Sequence, residues 1–168
     1  MDVQQRYWQE FIELKRDARY IDLCQARTER IDWLISVLTA VTSSSSIAGW
    51  ALWQQLSFVW AFLIAASQLF QAIKEFLPYK KRLKALGMLS PELNSLALIA
   101  ENDWYRVSKG HLTEPEIHEL QMKLKKKKHE AVVKSFGASS LPEAKDLIER
   151  ACKDCESYVA SYFGAPNG

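Results

Sequence analysis

The sequence predicts an all-α protein in which a two-span transmembrane helical hairpin joins long N-terminal and C-terminal cytoplasmic helices. Residues 33–73 form a run of 41 positions without a charged side chain, and all 22 Lys and Arg and all 20 Asp and Glu residues lie outside it. A bilayer requires this segregation, because ionised side chains are costly in its hydrocarbon core. Elsewhere, repeated helix start and stop signals and the lack of strand-like alternation indicate helices.

The first predicted element is an N-terminal cytoplasmic helix over residues 1–32, which contain neither Gly nor Pro. Apolar residues recur in it at alternating spacings of four and three, at Tyr7, Phe11, Leu14, Ala18 and Ile21. We call these five residues the α1 seam. A heptad-like seam needs a partner, and we expect that partner to be a helix of the C-terminal region or a neighbouring copy.

The charge-free block is too long for one span, since about 20 apolar residues cross a bilayer core. It divides into transmembrane helix 1 at residues 33–53, a short external turn at 54–57 and transmembrane helix 2 at 58–77. Trp33, Trp50 and Trp53 lie near the ends of the first span, where tryptophan favours the membrane interface.

The distribution of Lys and Arg predicts the topology. Arg27 and Arg30 precede the first span, a basic group from Lys74 to Lys84 follows the second, and the turn has no basic residue. The positive-inside rule therefore places both termini in the cytoplasm. No cleavable signal is expected, and the three cysteines are compatible with a reducing compartment.

Residues 78–168 are predicted to form a cytoplasmic helical region punctuated by Gly and Pro. One helix should end at Gly87, and Ser90-Pro91-Glu92 should start the next, which stops at Gly110. Thr113-Glu114-Pro115-Glu116 has the spacing of a capping box and opens a helix that Gly137 closes. Ser140-Leu141-Pro142-Glu143 opens the last helix, which ends at Gly164.

The first span carries a hydroxyl stripe, which consists of Ser36, Thr39, Ser43 and Ser46 on one helix face. Hydroxyls gain little from facing lipid. The stripe is expected either to hydrogen-bond between packed helices or to line a water path in an oligomer, since two spans cannot enclose one. Ser57 at the end of the turn and Ala61 and Ala65 in the second span have small-residue spacing that favours close packing against the first span.

A run of lysines at Lys123 and Lys125, Lys126, Lys127 and Lys128 covers a whole helical turn, which should therefore not be buried on any side. It is interpreted as a solvated surface or as a contact with anionic lipid. Nucleic acid is an unlikely partner, because no aromatic residues are interleaved with the lysines.

Catalytic motifs are absent from the sequence, so we expect a protein that is not an enzyme and binds no cofactor or metal. Cys152 and Cys155 form an isolated CxxC pair in a helical segment. Zinc would require two further ligands, and a redox motif would require a βαβ context. A structural role is the favoured interpretation.

The order of these parts resembles the SLATT family of bacterial two-transmembrane effector domains. The resemblance rests on this architecture, on the basic exit Tyr79-Lys80-Lys81-Arg82-Leu83, and on Asp103-Trp104-Tyr105-Arg106 followed by Gly110-His-Leu-Thr-Glu-Pro-Glu-Ile. It implies an inner-membrane effector of an antiviral defence system, encoded near a soluble sensor or enzyme.

The leading hypothesis is a homo-oligomer that permeabilises or depolarises the membrane when a partner activates it, with the hydroxyl stripe along the path. The alternative is a membrane-anchored scaffold that recruits a soluble defence enzyme without forming a pore. A soluble bundle with a buried hairpin is disfavoured, because a core helix in so small a protein should keep a charged face.

Overall fold

The computed structural model describes residues 2–44, 79–137 and 143–164, together with Phe58, Ala61, Phe62, Ala65, Ala66, Gln68 and Leu69. Within these residues all regular structure is helical, which confirms the all-α prediction. The long helices are α1 at Val3–Ser44, α2 at Tyr79–Ser108, α3 at Glu114–Phe136 and α4 at Lys145–Phe163.

The chain divides into two compact units. Residues 1–25 and 84–168 form the first, which we call the terminal unit, and residues 26–83 form the second, which we call the central unit. Helices α1 and α2 each contribute residues to both. The terminal unit therefore combines the two ends of the chain in one folded body.

The α1 seam lies in the core of the terminal unit. Its five residues are buried, and none is more than 2% exposed. Four of them, all except Tyr7, share one apolar cluster with side chains from α2 and α3, which include Leu86, Leu89, Leu93, Leu96, Leu124, Ala131 and Phe136. Tyr7 clusters instead with Val107 and Ile117. The seam thus finds its partners within its own chain, the first of the two predicted possibilities.

The predicted break between Gly87 and Ser90 is wrong, because α2 continues through both residues and through Pro91. Ser90 does not cap a helix, since its hydroxyl donates a hydrogen bond to the Asp22 carboxylate of α1, with 2.5 Å between Ser90 Oγ and Asp22 Oδ1. Proline costs an interior hydrogen bond. The apolar face that includes Leu86, Leu89 and Leu93 is nevertheless buried without interruption, and this packing overrides the local stop signals.

The other predicted helix ends in the terminal unit agree with the structure, with one exception. Gly110 adopts φ +70° after α2, and bonds from Gly110 N–H to Val107 O and from His111 N–H to Arg106 O close that end as in a Schellman motif. Gly137 and Gly164 end α3 and α4 as predicted.

The exception is the start of α4, which begins at Lys145 after Ala144, later than the sequence signal indicated. The Ala144 N–H donates to the hydroxyl of Tyr20 at 3.1 Å. The proposed cap Ser140 and the neighbouring Pro142 lie outside the described residues.

None of the helices described in the structure combines the length and the apolar character needed to cross a membrane. Residues 45–53 of the first predicted span, the turn at 54–57 and all but seven positions of the second span lie outside the described residues.

Shortening Leu14 tests the importance of the α1 seam. Because this side chain is fully buried, Leu14→Ala should lower the free energy of unfolding by about 2–5 kcal/mol. The matched control is Glu13→Ala, at an exposed neighbour in the same helix, which should change it by less than about 0.5 kcal/mol. Denaturation of the full chain, followed by circular dichroism, measures both. Equal stability of the two variants would contradict the burial of the seam.

Candidate functional site

Large apolar side chains are exposed along the central unit. Phe58 is 84% exposed, Phe62 68%, Leu69 65%, Trp33 63% and Leu34 52%. In contrast, the buried hydrophobic residues among those described all belong to the terminal unit. Exposed apolar side chains of this size are typical of surfaces that contact lipid or another protein.

The described part of the hydroxyl stripe makes hydrogen bonds within its own helix. Ser36 Oγ donates to Asp32 O at 2.8 Å, and Thr39 Oγ1 donates to Ile35 O at 2.7 Å. A hydroxyl that donates in this way still has lone pairs that can accept a further hydrogen bond. The Ser43 side chain and Ser46 lie outside the described residues.

Two of the three predicted small packing residues are described. Ala61 and Ala65 are both exposed, and Ser57 lies outside the described residues. The exposed methyl groups leave these two positions open to a neighbouring helix or to lipid.

None of the lysines in the run on α3 is buried, and two of them pair with acids of α1. Lys125 Nζ lies 3.2 Å from Glu10 Oε2, and Lys128 Nζ lies 2.7 Å from Asp17 Oδ2, with both acids on α1. Leu124, directly before Lys125 in the sequence, is buried. Lys123, Lys126 and Lys127 are exposed, and none forms an ion pair with another described residue. Contact with anionic lipid would therefore use these three.

A polar cluster joins three helices of the terminal unit around Glu101. The Tyr158 hydroxyl of α4 donates to Glu101 Oε1 at 2.5 Å, and Lys15 Nζ of α1 donates to Glu101 Oε2 at 3.0 Å. Lys15 Nζ also lies 3.9 Å from the centroid of the Tyr158 ring. We call these three residues the Glu101 cluster. It fixes α4 against α1 and α2.

The electrostatics of the cluster favour the charged form of Glu101. Partial burial acts to raise the pKa of this carboxyl, but the hydrogen bonds from Tyr158 and Lys15 outweigh it and lower the pKa below its ordinary value. Burial raises the pKa of Tyr158, and its hydrogen bond to Glu101 adds to that shift. This cluster was not predictable from the sequence, because its residues come from three distant segments and leave no spacing signal.

Cys152 and Cys155 lie beside an apolar groove of about 720 Å³ in the terminal unit, with Trp8 and Phe163 among its lining residues. Cys155 is buried, its Sγ lies 3.7 Å from Ile12 O, and burial raises the pKa of its thiol. Such a thiol stays protonated and unreactive at neutral pH. Across the described ranges, no group of three or more His, Cys, Asp and Glu side chains could hold a metal ion.

No family model matches the chain, and no curated protein or solved structure is similar enough to it to indicate a shared family or fold.

Acid should weaken the terminal unit in part through Glu101. A carboxyl whose pKa is lower in the folded state contributes stability above its unfolded pKa of about 4.3, and that contribution is lost as the pH falls through the folded value. Glu101→Gln should therefore reduce the loss of stability between neutral and acidic pH. Denaturation of the full chain across this range measures it.

The matched control is Glu119→Gln, at an exposed carboxylate of α3, which should keep the pH dependence of the wild type. If Glu101→Gln kept that dependence as well, the Glu101 cluster would not be the source of the acid sensitivity.

Proposed function

We propose that this chain is a two-span inner-membrane effector of a bacterial antiviral defence system. In this proposal the chain oligomerises and permeabilises the membrane when a partner encoded nearby activates it. The observation that carries the membrane assignment is the union of residues 1–25 with residues 84–168 in one folded unit, with the charge-free block between them in the sequence.

The two chain segments that form the terminal unit support an even number of membrane spans. Two chain segments that fold together must lie on the same side of a membrane, so the intervening block must leave that side and return. At 1.5 Å per residue, a helical block of 41 residues is about 60 Å long, which is twice the roughly 30 Å of a hydrocarbon core. The exposed Phe58, Phe62 and Leu69 supply apolar surface for lipid.

The effector role is supported by the resemblance to the SLATT family and by the hydroxyl stripe. Membrane perturbation needs several copies, because two spans cannot surround water. The hydroxyls of the stripe can donate a hydrogen bond to a carbonyl oxygen of their own helix and still accept hydrogen bonds from water. The exposed lysines Lys123, Lys126 and Lys127 add attraction to anionic lipid headgroups of about 1 kcal/mol each near the surface.

The second candidate function is a membrane-anchored scaffold that recruits a soluble defence enzyme. The back-bonding of Ser36 and Thr39 favours it, since hydroxyls that donate within their own helix need no water path. A scaffold would leave the membrane potential intact, so conductance separates the two functions.

The proposed hairpin predicts which residues a membrane-impermeant thiol reagent reaches in intact cells. Gln54→Cys should be labelled from outside, since the proposed turn faces away from the cytoplasm. The control is Ser157→Cys, at an exposed position of α4, which should be labelled only after lysis. Wild type under the same conditions gives the background from the three native cysteines. Labelling of Gln54→Cys only after lysis would contradict the hairpin.

Replacing the hydroxyl stripe separates a pore from a scaffold. The variant has Leu in place of all four residues of the stripe, Ser36, Thr39, Ser43 and Ser46. Leu favours membrane insertion by a few tenths of a kcal/mol per position, but an apolar lining expels water from an aqueous path and closes it. We expect membrane insertion and oligomers to persist while depolarisation of expressing cells is lost, as measured with a potential-sensitive dye. If the variant inserts, assembles and still depolarises cells, this face does not line the path.

A further inference from the structure

The outer face of α2 carries a second heptad-like seam, within the terminal unit. Its six positions alternate by three and four residues, and all are exposed: Met88, Pro91, Ser95, Leu98, Asn102 and Tyr105. We call them the α2 seam. They lie opposite the buried face that contains Leu86, Leu89 and Leu93, so α2 has a heptad-spaced face on each side.

The α2 seam is more apolar than the solvent face of a helix normally is. Leu98 is 66% exposed, Tyr105 62% and Met88 41%, and the flanking Ile99 is 43% exposed. Lys109 Nζ lies 5.8 Å from the centroid of the Tyr105 ring, and Ser95 and Ile99 border a groove shared with Lys127 and Lys134 of α3. These contacts leave most of the Leu98 and Tyr105 side chains accessible. A second copy of the chain would cover them with the same face.

The residues of the seam fit a parallel pair of α2 helices. In heptad notation, Met88, Ser95 and Asn102 occupy the a positions, and Pro91, Leu98 and Tyr105 occupy the d positions. In a parallel pair each meets its counterpart, so Leu98 packs on Leu98 and the Asn102 amides face each other. Asparagine at an a position specifies the register and oligomeric state of such pairs, and leucine at d favours two strands.

Charge complementarity supports the same register. Glu101 and Arg106 flank the seam at g and e positions five residues apart, the separation at which these positions of two parallel helices meet. Arg106 is half exposed, and the acid nearest to it in its own chain, Asp103, is 3.9 Å away. Glu101 already accepts from Tyr158 and Lys15, but a carboxylate has about four acceptor positions. It can receive the guanidinium of a second copy.

We propose that the α2 seam is the surface through which two copies of this chain pair in parallel. The inference rests on the proposed function, for which it supplies a contact between copies. The seam extends over about 27 Å of helix, so it buries less than the roughly 800 Å² per partner of a standard interface. The pair is therefore weak in dilute solution and is strengthened where a membrane concentrates the chains.

The test is disulfide cross-linking of the full chain in membranes of expressing cells. Ser95→Cys brings two thiols together in a parallel pair and should give a disulfide-linked dimer under mild oxidation. Ser157→Cys on α4 is the matched control and should stay at the level of the wild type. A dimer from Ser157→Cys equal to that from Ser95→Cys, or none from Ser95→Cys, overturns the inference. Ser95 lies near the middle of the seam, so the orientation is tested with Asn102→Cys, which is about 16 Å from its counterpart along the axis of an antiparallel pair. A dimer from Ser95→Cys but none from Asn102→Cys overturns the parallel orientation.

Two further changes in the Ser95→Cys background define the contact. Leu98→Glu buries an unpaired charge and should lower the association of the two chains about a hundredfold, whereas Met122→Glu, at an exposed apolar position of α3, should not. Arg106→Glu should lower it about two- to fivefold, and Arg150→Glu on α4 is its control. Undiminished cross-linking in Leu98→Glu overturns the inference.

Alkaline extraction of the same membranes separates this inference from the proposed function. If Ser95→Cys forms the dimer in a chain that is released as a peripheral protein, the pairing stands and the proposed function fails. If the chain resists extraction and depolarises cells but Ser95→Cys gives no dimer, the proposed function stands and the pairing fails.

Discussion

Burial of the α1 seam is the interaction on which the rest of the terminal unit depends. The seam presents Phe11, Leu14 and Ile21 to apolar residues of α2 and α3, so a segment at the start of the chain is held by segments that follow residue 84. The hydrophobic effect supplies the attraction. The polar links around it, such as Lys128 with Asp17 and Lys15 with Glu101, are partly exposed and mainly fix the register of the helices.

This closure constrains the charge-free block as well. Along the chain, the block lies between the two segments that fold together as the terminal unit. Among the described residues of the block, Trp33, Phe58 and Phe62 are exposed, whereas all the buried hydrophobic residues that the structure describes belong to the terminal unit. In the proposed function, a bilayer surrounds the apolar segment.

The α1 seam and the stops at Gly110 and Gly137 were predictable from the sequence, because helical periodicity and glycine caps are local signals. The continuity of α2 was not, since it depends on the burial of Leu86, Leu89 and Leu93 against other helices and Ser90, the expected cap, bonds instead to Asp22, 68 residues away. The same limit explains why the pairing of Lys125 and Lys128 with α1 and the Glu101 cluster were missed. Contacts between distant segments leave no spacing pattern. The α2 seam did have one, although Gly87 and Pro91 had suggested separate helices there.

Protease digestion of sealed membrane vesicles tests the central claim that one folded unit carries both chain ends on the same side of a membrane. In right-side-out vesicles, the account predicts that the terminal unit stays intact. In inverted vesicles, it predicts that both ends are digested and that a fragment from residues 26–83 is protected. Digestion of either end in right-side-out vesicles, or loss of the whole chain in inverted ones, would contradict the account.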